Sequence, residues 1–306
     1  MVTPGDRIAV TGGGGQIGQL FCRDALRLGY RLRCFGRTLE PLPAEAERIR
    51  LDLAATEPID PELLRGCGAV VHLAAHIPKD HKSLVEAERC WQVNVRGTAR
   101  LVQVMAAAEV GRLVQLSSAS AYPVWSGRTD EGAPLFPESR TFYLSSKIAQ
   151  ELVAAELCRD HQIAFADLRV SSVYGGAADT SVIARFAAKL LAGEPIELGD
   201  EGRFGADFVF AEDVARAIAM ALENGTVGTL NVASGTRTTL AEIASELRRL
   251  TDAPAELVRV KPVGGTPDLG FPAICIDAAR ALGFTPTPIG DGLPRVVAAL
   301  KAAAVR

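Results

Sequence analysis

Tyr143 and Lys147 stand four positions apart in the run Tyr143-Leu144-Ser145-Ser146-Lys147. On a helix that spacing puts a phenol and an ammonium on one face. A tyrosine with its ordinary pKa of about 10 is a poor acid or base at neutral pH, but a cation beside it favours the phenolate and lowers that value. Such a pair suits a proton shuttle for alcohol/ketone interconversion. Taken alone, the same spacing also describes a plain surface pair. Upstream, Ser117-Ser118-Ala119-Ser120-Ala121-Tyr122 begins where a predicted strand ends. Hydroxyls at the carboxyl end of an α/β strand face the ligand crevice, so Ser118 is a candidate donor to the oxygen that Tyr143 protonates. Asn94, in Asn94-Val95-Arg96-Gly97-Thr98, is a candidate to bond backbone and a water and so complete a relay to Lys147.

A second constellation sits near the N-terminus. Thr11-Gly12-Gly13-Gly14-Gly15-Gln16-Ile17-Gly18 directly follows a predicted strand and opens a helix. Gly12, Gly15 and Gly18 form a GxxGxxG variant of the dinucleotide fingerprint, which lets the chain turn tightly. The backbone around Gly15, Gln16 and Ile17 then meets a pyrophosphate at the helix N-terminus. An acidic residue about 20 positions on would hold the ribose 2′-OH of NAD. The second strand instead ends Cys34-Phe35-Gly36-Arg37-Thr38. Gly36 removes a charge that would repel a 2′-phosphate and Arg37 supplies one to pair with it, which leans the reading to NADP(H), with NAD(H) as the other candidate. Asp52-Leu53, after the next short strand, suits the adenine amino group or simply the start of a turn.

These residues need a frame. Strands are expected at Arg7–Val10, Tyr30–Phe35, Ala69–Leu73, Leu113–Leu116 and Ala164–Val170, with helices at Gln16–Leu28, Ser83–Val110 and Thr141–Arg159. This alternation argues for right-handed βαβ units and a doubly wound parallel sheet, an α/β fold. Beyond Tyr174 the pattern is mixed. Helices are expected at Thr180–Ala192, Glu212–Leu222 and Thr239–Leu250, the last opened by a Thr239/Glu242 capping box, and strands at Asp207–Phe210 and Leu230–Val232. Gly and Pro cluster at Pro262–Pro272 and Gly283–Pro294, which reads as loop-rich.

Composition narrows the class. The 306 residues are 48% hydrophobic and 23% charged, with a net charge of -3. This excludes a disordered or fibrous chain and gives no electrostatic reason to expect nucleic acid or an anionic membrane as partner. No apolar run approaches a membrane span, Met1–Arg7 lacks a signal-peptide core, and the six cysteines are scattered without a CxxC pair. A cytoplasmic protein with no disulfide and no metal site is the expectation.

Taken together these motifs resemble the extended short-chain dehydrogenase/reductase family, also called the NAD(P)-dependent epimerase/dehydratase family. The resemblance spans nearly the whole chain. Besides the segments above it includes His72-Leu73-Ala74-Ala75, Leu168-Arg169-Val170-Ser171-Ser172-Val173-Tyr174-Gly175, Asp207-Phe208-Val209-Phe210-Ala211-Glu212-Asp213-Val214 and Leu230-Asn231-Val232-Ala233-Ser234-Gly235. It implies a Rossmann domain (1–175, with 207–235 returning to it) and a smaller C-terminal α/β substrate-binding lobe (176–206 and 236–306). It implies Tyr143 as acid/base, Lys147 on the nicotinamide ribose and Ser118 polarising the carbonyl. The cofactor would also meet Leu73, Ala74 and Ala75, and the substrate His76, Ser120, Ser172 and Arg203. A homodimer would form through the Ser83–Val110 and Thr141–Arg159 helices.

Departures from the family pattern bear on the substrate. The 4,6-dehydratases carry Asp-Glu directly after the catalytic hydroxyl, where this chain has Ala119 and Ser120, so dehydration is disfavoured. An Arg is usual just before the Asp of the segment that here reads Ala206-Asp207-Phe208-Val209. Another is usual where Lys261-Pro262-Val263-Gly264-Gly265-Thr266-Pro267-Asp268 stands. Both are preferred diphosphate partners. Arg203, Lys261, Lys79 and Lys82 are candidate substitutes, although the loop holding the last two, with His76 and His81, also reads as solvated surface. The expected activity is alcohol/ketone interconversion on a sugar or sugar nucleotide. The alternatives are NADPH-dependent reduction of a small non-nucleotide sugar, lactone or ketone, or a non-catalytic NAD(P)-binding regulator.

Overall fold

A computed structural model describes residues 2–123, 127–176, 178–264 and 269–304. The stretch Gly265–Asp268, part of the segment compared above with a phosphate-binding run, lies outside them. Two compact units result: Met1–Ala121, Leu135–Arg169 and Ala215–Leu230 in the first, Tyr122–Pro134, Val170–Val214 and Asn231–Arg306 in the second. In this division the late return to the first unit covers Ala215–Leu230.

In chain order the first unit opens with β1 (Arg7–Thr11), α1 (Gln16–Arg27), β2 (Arg31–Gly36), β3 (Glu47–Arg50) and β4 (Ala69–His72). It continues with α2 (Leu84–Cys90), α3 (Gly97–Ala107), β5 (Arg112–Ser118), α4 (Thr141–Asp160) and β6 (Ala164–Val170). The strands of its sheet run in the order β10-β6-β5-β4-β1-β2-β3, where β10 is Gly228–Val232. Parallel pairing sets Val10 opposite Cys34 and Val71, and Val71 opposite Val114. Ile8, Ala9, Val10, Val70 and Val71 have no exposed surface. Such continuous apolar strands are what a parallel sheet covered on both faces demands. Met105, Leu101 and Val102 of α3 cluster with Ala9, Val70, Leu113 and Ala154.

One helix differs from expectation. The Ser83–Val110 stretch is not continuous: six residues, Trp91–Arg96, form a π-helical turn between α2 and α3. Hydrophobic spacing does not register one extra residue per turn, and such turns mark functional positions. Asn94 is inside this one.

The second unit holds β7 (Ser172–Tyr174), α5 (Val182–Leu191), β8 (Ile196–Leu198) and β9 (Gly205–Phe210), followed by α6 (Ala211–Glu223), which runs on into the first unit. After β10 come β11 (Arg237–Thr239), α7 (Leu240–Thr251), β12 (Val258–Val260), α8 (Asp277–Ala281) and α9 (Ile289–Ala304). Its strands form a β11-β9-β7 sheet and a β12-β8 pair. Helix α7 starts with the expected Thr239/Glu242 capping box. The Gly283–Pro294 stretch is a correction: it is not all loop, because α9 starts at Ile289 and carries Pro294 inside it. A proline six residues into a helix forfeits one backbone bond. Packing of buried Leu293, Val296 and Val297 among Tyr174, Ile183 and Phe208 outweighs that loss. No helix among the described residues is long and apolar enough to cross a membrane.

Candidate active site

The glycine turn between β1 and α1 shapes a cleft of about 290 Å³ lined by Gly12, Gly14, Gly15, Gly36, Arg37, Thr38, Leu51, Asp52, Leu53, Leu73, Ala74, Ala75 and Val93. Gly12 adopts a φ of +72°, and a Cβ there would lie 2.6 Å from the Ala74 nitrogen. Gly14, absent from the expected glycine triplet, is as constrained, because its Cβ would sit 2.1 Å from the Thr38 carbonyl oxygen. The floor must therefore be bare backbone. Gly15 caps α1 without a side-chain bond, and the backbone N–H groups of a helix's first turn point out of its end. Helix geometry and dipole make that edge an anion site. The bare-backbone cradle is of the kind that suits a dinucleotide. Arg37 is exposed at the cleft rim, and Asp52 spends Oδ1 accepting from the Ala54 nitrogen at 2.9 Å.

Ser118 ends β5, partly exposed, and its Oγ accepts from the Ser120 nitrogen at 3.3 Å, which leaves the hydroxyl proton to donate elsewhere. Tyr143 and Lys147 follow on α4. Lys147 is buried, donating to the Leu116 carbonyl at 2.7 Å and to Gln150 Oε1. Burial lowers its ammonium to about 8, against the opposing pull of Asp167 and Glu151. Glu151 is itself paired with Arg169 at 2.8 Å.

The expectation that a cation beside Tyr143 lowers its pKa is corrected. Burial pushes the phenol up to about 12, the Cys90 thiol adds to the rise, and the cation acting against it is Arg140. The physical reason is that Lys147 turns its hydrogen bonds to Leu116 and Gln150. At neutral pH the Tyr143 phenol therefore keeps its proton.

Asn94 bonds the backbone of His76 and a side chain of α4. Its Oδ1 accepts from the His76 nitrogen at 2.7 Å, and its Nδ2 donates to the His76 carbonyl and to Ser146 Oγ. It thus pins the loop after β4 to α4, on the turn preceding Lys147. A chain of protein groups from α3 to Lys147 runs through Thr98 and Gln150. Gln150 Nε2 donates to Thr98 Oγ1 at 3.0 Å while Thr98 donates to the Asn94 carbonyl. Thr98 Oγ1 must then accept from His72 Nε2 at 2.8 Å. Burial lowers His72 to about 3, so the ring is neutral at pH 7 and its Nδ1 accepts from Thr11 at 2.6 Å. Gln150, three residues beyond Lys147 on the same helix, was legible from spacing; Thr98 was not.

The remaining candidates are placed as follows. His76 lies in the first unit with its Nε2 3.1 Å from Glu86 Oε2, and Ser120 sits in the turn after β5. Ser172 and Arg203 belong to the second unit. Arg203 lies 3.6 Å from Glu201, and Lys261 lies 2.7 Å from Glu197, so both candidate phosphate partners already face carboxylates. Among the described residues no group of three His, Cys, Asp or Glu side chains is arranged to hold a metal.

A glycine cradle at the carboxyl edge of a parallel sheet, with tyrosine, lysine and serine on the neighbouring elements, defines a Rossmann-type NAD-binding oxidoreductase. More particularly, the chain belongs to the NAD dependent epimerase/dehydratase family, whose profile matches residues 8–233. It is 27% identical to a dTDP-glucose 4,6-dehydratase of Streptomyces niveus over 95% of this chain and 91% of that protein. It is 28% identical to a dTDP-4-dehydro-6-deoxy-D-allose reductase of a Streptomyces species over 94% of both. The crystal structure of the Thermus thermophilus UDP-glucose 4-epimerase complexed with NAD superposes with a TM-score of 0.82 at 26% identity, covering 97% and 99% of the two chains.

Proposed function

We propose that this protein interconverts an alcohol and a ketone on a sugar-nucleotide substrate, acting as a reductase or 4-epimerase rather than a 4,6-dehydratase. The observation that carries this reading is Tyr143 on the same helix as buried Lys147, which is tied by Leu116 to the strand that ends in Ser118. The bound nicotinamide supplies or accepts the hydride. Tyr143 Oη gives its proton to the carbonyl oxygen during reduction and takes it back during oxidation. Ser118 donates a second hydrogen bond to that oxygen, where charge develops. In this reading Lys147, while cationic, donates to the nicotinamide ribose. Ala119 and Ser120 offer no carboxylate pair for removing water.

NADP(H) is the proposed cofactor preference, supported by Gly36 and exposed Arg37 at the cleft rim. The second unit is the proposed substrate lobe. A homodimer through α2 and α4 is part of the same reading, supported by Leu84 and Val85, each 75% exposed, and Leu152, 67% exposed. Light scattering of a Leu84→Glu/Leu152→Glu variant tests it, and an unchanged mass would refute it.

A second reading, a small non-nucleotide carbonyl or polyol, is favoured by the carboxylates already facing Arg203 and Lys261. Melting temperature with NADPH present, titrated with UDP, GDP and dTDP, separates the two. A shift with one nucleotide supports the sugar-nucleotide reading, because only ligands of the folded state raise it. No shift with any of them moves the assignment to free sugars and lactones. Tyr143→Phe should abolish turnover and spare cofactor binding; undiminished turnover would overturn the catalytic assignment.

A further inference from the structure

We propose that Gln150 is a positioning residue for Lys147: its side-chain amide, held in one orientation by Thr98, turns an oxygen onto the ammonium and so keeps the third N–H of that ammonium directed at the cofactor. The role rests on the reading that Lys147 serves the nicotinamide ribose, and it names the side chain that makes the lysine fit to do so.

A glutamine amide has an acceptor at one end and donors at the other, so it can be inserted either way round. Thr98 decides which. Its hydroxyl has one proton, and that proton goes to the Asn94 carbonyl at 2.6 Å. Toward Gln150 the hydroxyl can therefore only accept, which it does from Nε2 at 3.0 Å. The Oε1 end is then left for Lys147, and it accepts from Nζ. The same threonine oxygen accepts from His72, whose other ring nitrogen accepts from Thr11. The polarity of the chain is thus fixed from Thr11, the neighbour of Gly12 in the cofactor cleft, to the ammonium.

Gln150 and Thr98 have no exposed surface. A buried amide costs free energy unless its polar ends are bonded, and an aliphatic side chain would fill the same space without that requirement. What the amide adds is an oxygen for a buried cation. Lys147 has three donors. One goes to the Leu116 carbonyl at 2.7 Å and one to Gln150 Oε1. With two corners of the ammonium pinned, one to β5 and one to α4, the direction of the third is fixed as well.

The charged and titratable groups around Lys147 lie on three elements. Tyr143 and Glu151 share its helix, Asp167 and Arg169 are on β6, and His72 is on β4. Glu151 is committed to Arg169 at 2.8 Å. The ammonium's hydrogen bonds go to neutral oxygens, and Gln150 supplies the one that a substitution can remove.

The test is a pH titration of the cofactor-free full chain, its lysines labelled with carbon-13 at Cε and followed by NMR. The chain has six lysines, and the signal missing from Lys147→Arg belongs to Lys147. Gln150→Met nearly conserves volume and loses both hydrogen bonds. The Lys147 midpoint should fall in it by about one to two pH units, the equivalent of one hydrogen bond to an ion. Gln150→Glu keeps an oxygen at the same reach, and the midpoint should stay at the wild-type value or rise. NADPH affinity at neutral pH, read by fluorescence, should fall about tenfold in Gln150→Met and recover in Gln150→Glu. Cooperative melting shows that the variants are folded. A wild-type midpoint in Gln150→Met, or a midpoint lowered equally by both substitutions, overturns the proposal. Should Gln150→Met not fold, Thr98→Val is read in its place: with the amide no longer oriented the midpoint falls, and an unchanged midpoint overturns the proposal. A lowered midpoint with undiminished NADPH affinity supports the hold of Gln150 on Lys147 and overturns the assignment of that lysine to the cofactor, so the two readings fail separately.

Discussion

The Lys147 ammonium donates to the carbonyl oxygen of Leu116 at 2.7 Å, which ties α4 to β5 two residues before Ser118. Because Leu116 and Ser118 share one strand, this bond sets the lysine in register with the hydroxyl that would polarise the carbonyl. It also means that Lys147 is already hydrogen-bonded by neutral oxygens, so its charge is kept in spite of burial rather than balanced by a contacting carboxylate.

The alkaline limb of activity should belong to Lys147. Burial lowers its ammonium to about 8, whereas Tyr143 stays protonated to about 12. The rate of ketone reduction should therefore be level through neutrality and fall about tenfold per pH unit above pH 8, as the cation is lost. Lys147→Arg, if active, should move that limb upward because guanidinium does not titrate there. A limb that stays near pH 8 in the variant would reject the assignment.

Acid should destabilise the fold through His72. Its folded pKa is about 3, lowered by burial from the ordinary value of 6.5, so between those values the unfolded chain binds a proton that the native state refuses. Stability then rises with pH across this window and is lost on acidification, by on the order of 4 kcal/mol at the limit. Denaturant midpoints measured from pH 7 to pH 4 should slope less steeply in His72→Gln.

Gly14→Ala should damage the cofactor cradle. Its Cβ would lie 2.1 Å from the Thr38 carbonyl oxygen, a backbone atom that cannot swing aside. Overpacking of this kind costs about 1–3 kcal/mol. Dinucleotide affinity, followed by fluorescence, should fall at least tenfold by displacement of the β2 end. An unchanged affinity would show that the β2 end yields without cost.

Arg37→Asp should reverse cofactor choice. Placing a carboxylate at the cleft rim repels a 2′-phosphate and accepts from a ribose 2′-OH. The ratio of kcat/KM with NADPH to that with NADH should drop about a hundredfold, equivalent to ~3 kcal/mol. A ratio already favouring NADH in the wild type would refute the NADP(H) preference.

Much of this arrangement was written in local sequence. The glycine turn, the Tyr143/Lys147 spacing, Ser118 at a strand end and the Thr239 capping box each depend on residues within one or two turns of each other, where backbone sterics and helical periodicity act directly. Tertiary structure alone decided how those pieces are charged and held. The phenol of Tyr143 rises because Cys90 and burial surround it, and Lys147 is held by Leu116 and Gln150 instead of facing the tyrosine. The π-helical turn that positions Asn94 and the helix that keeps Pro294 depend on packing that no local pattern records. Desolvation and long-range Coulomb interaction depend on what lies across space, and hydrophobic spacing along the chain carries no information about that.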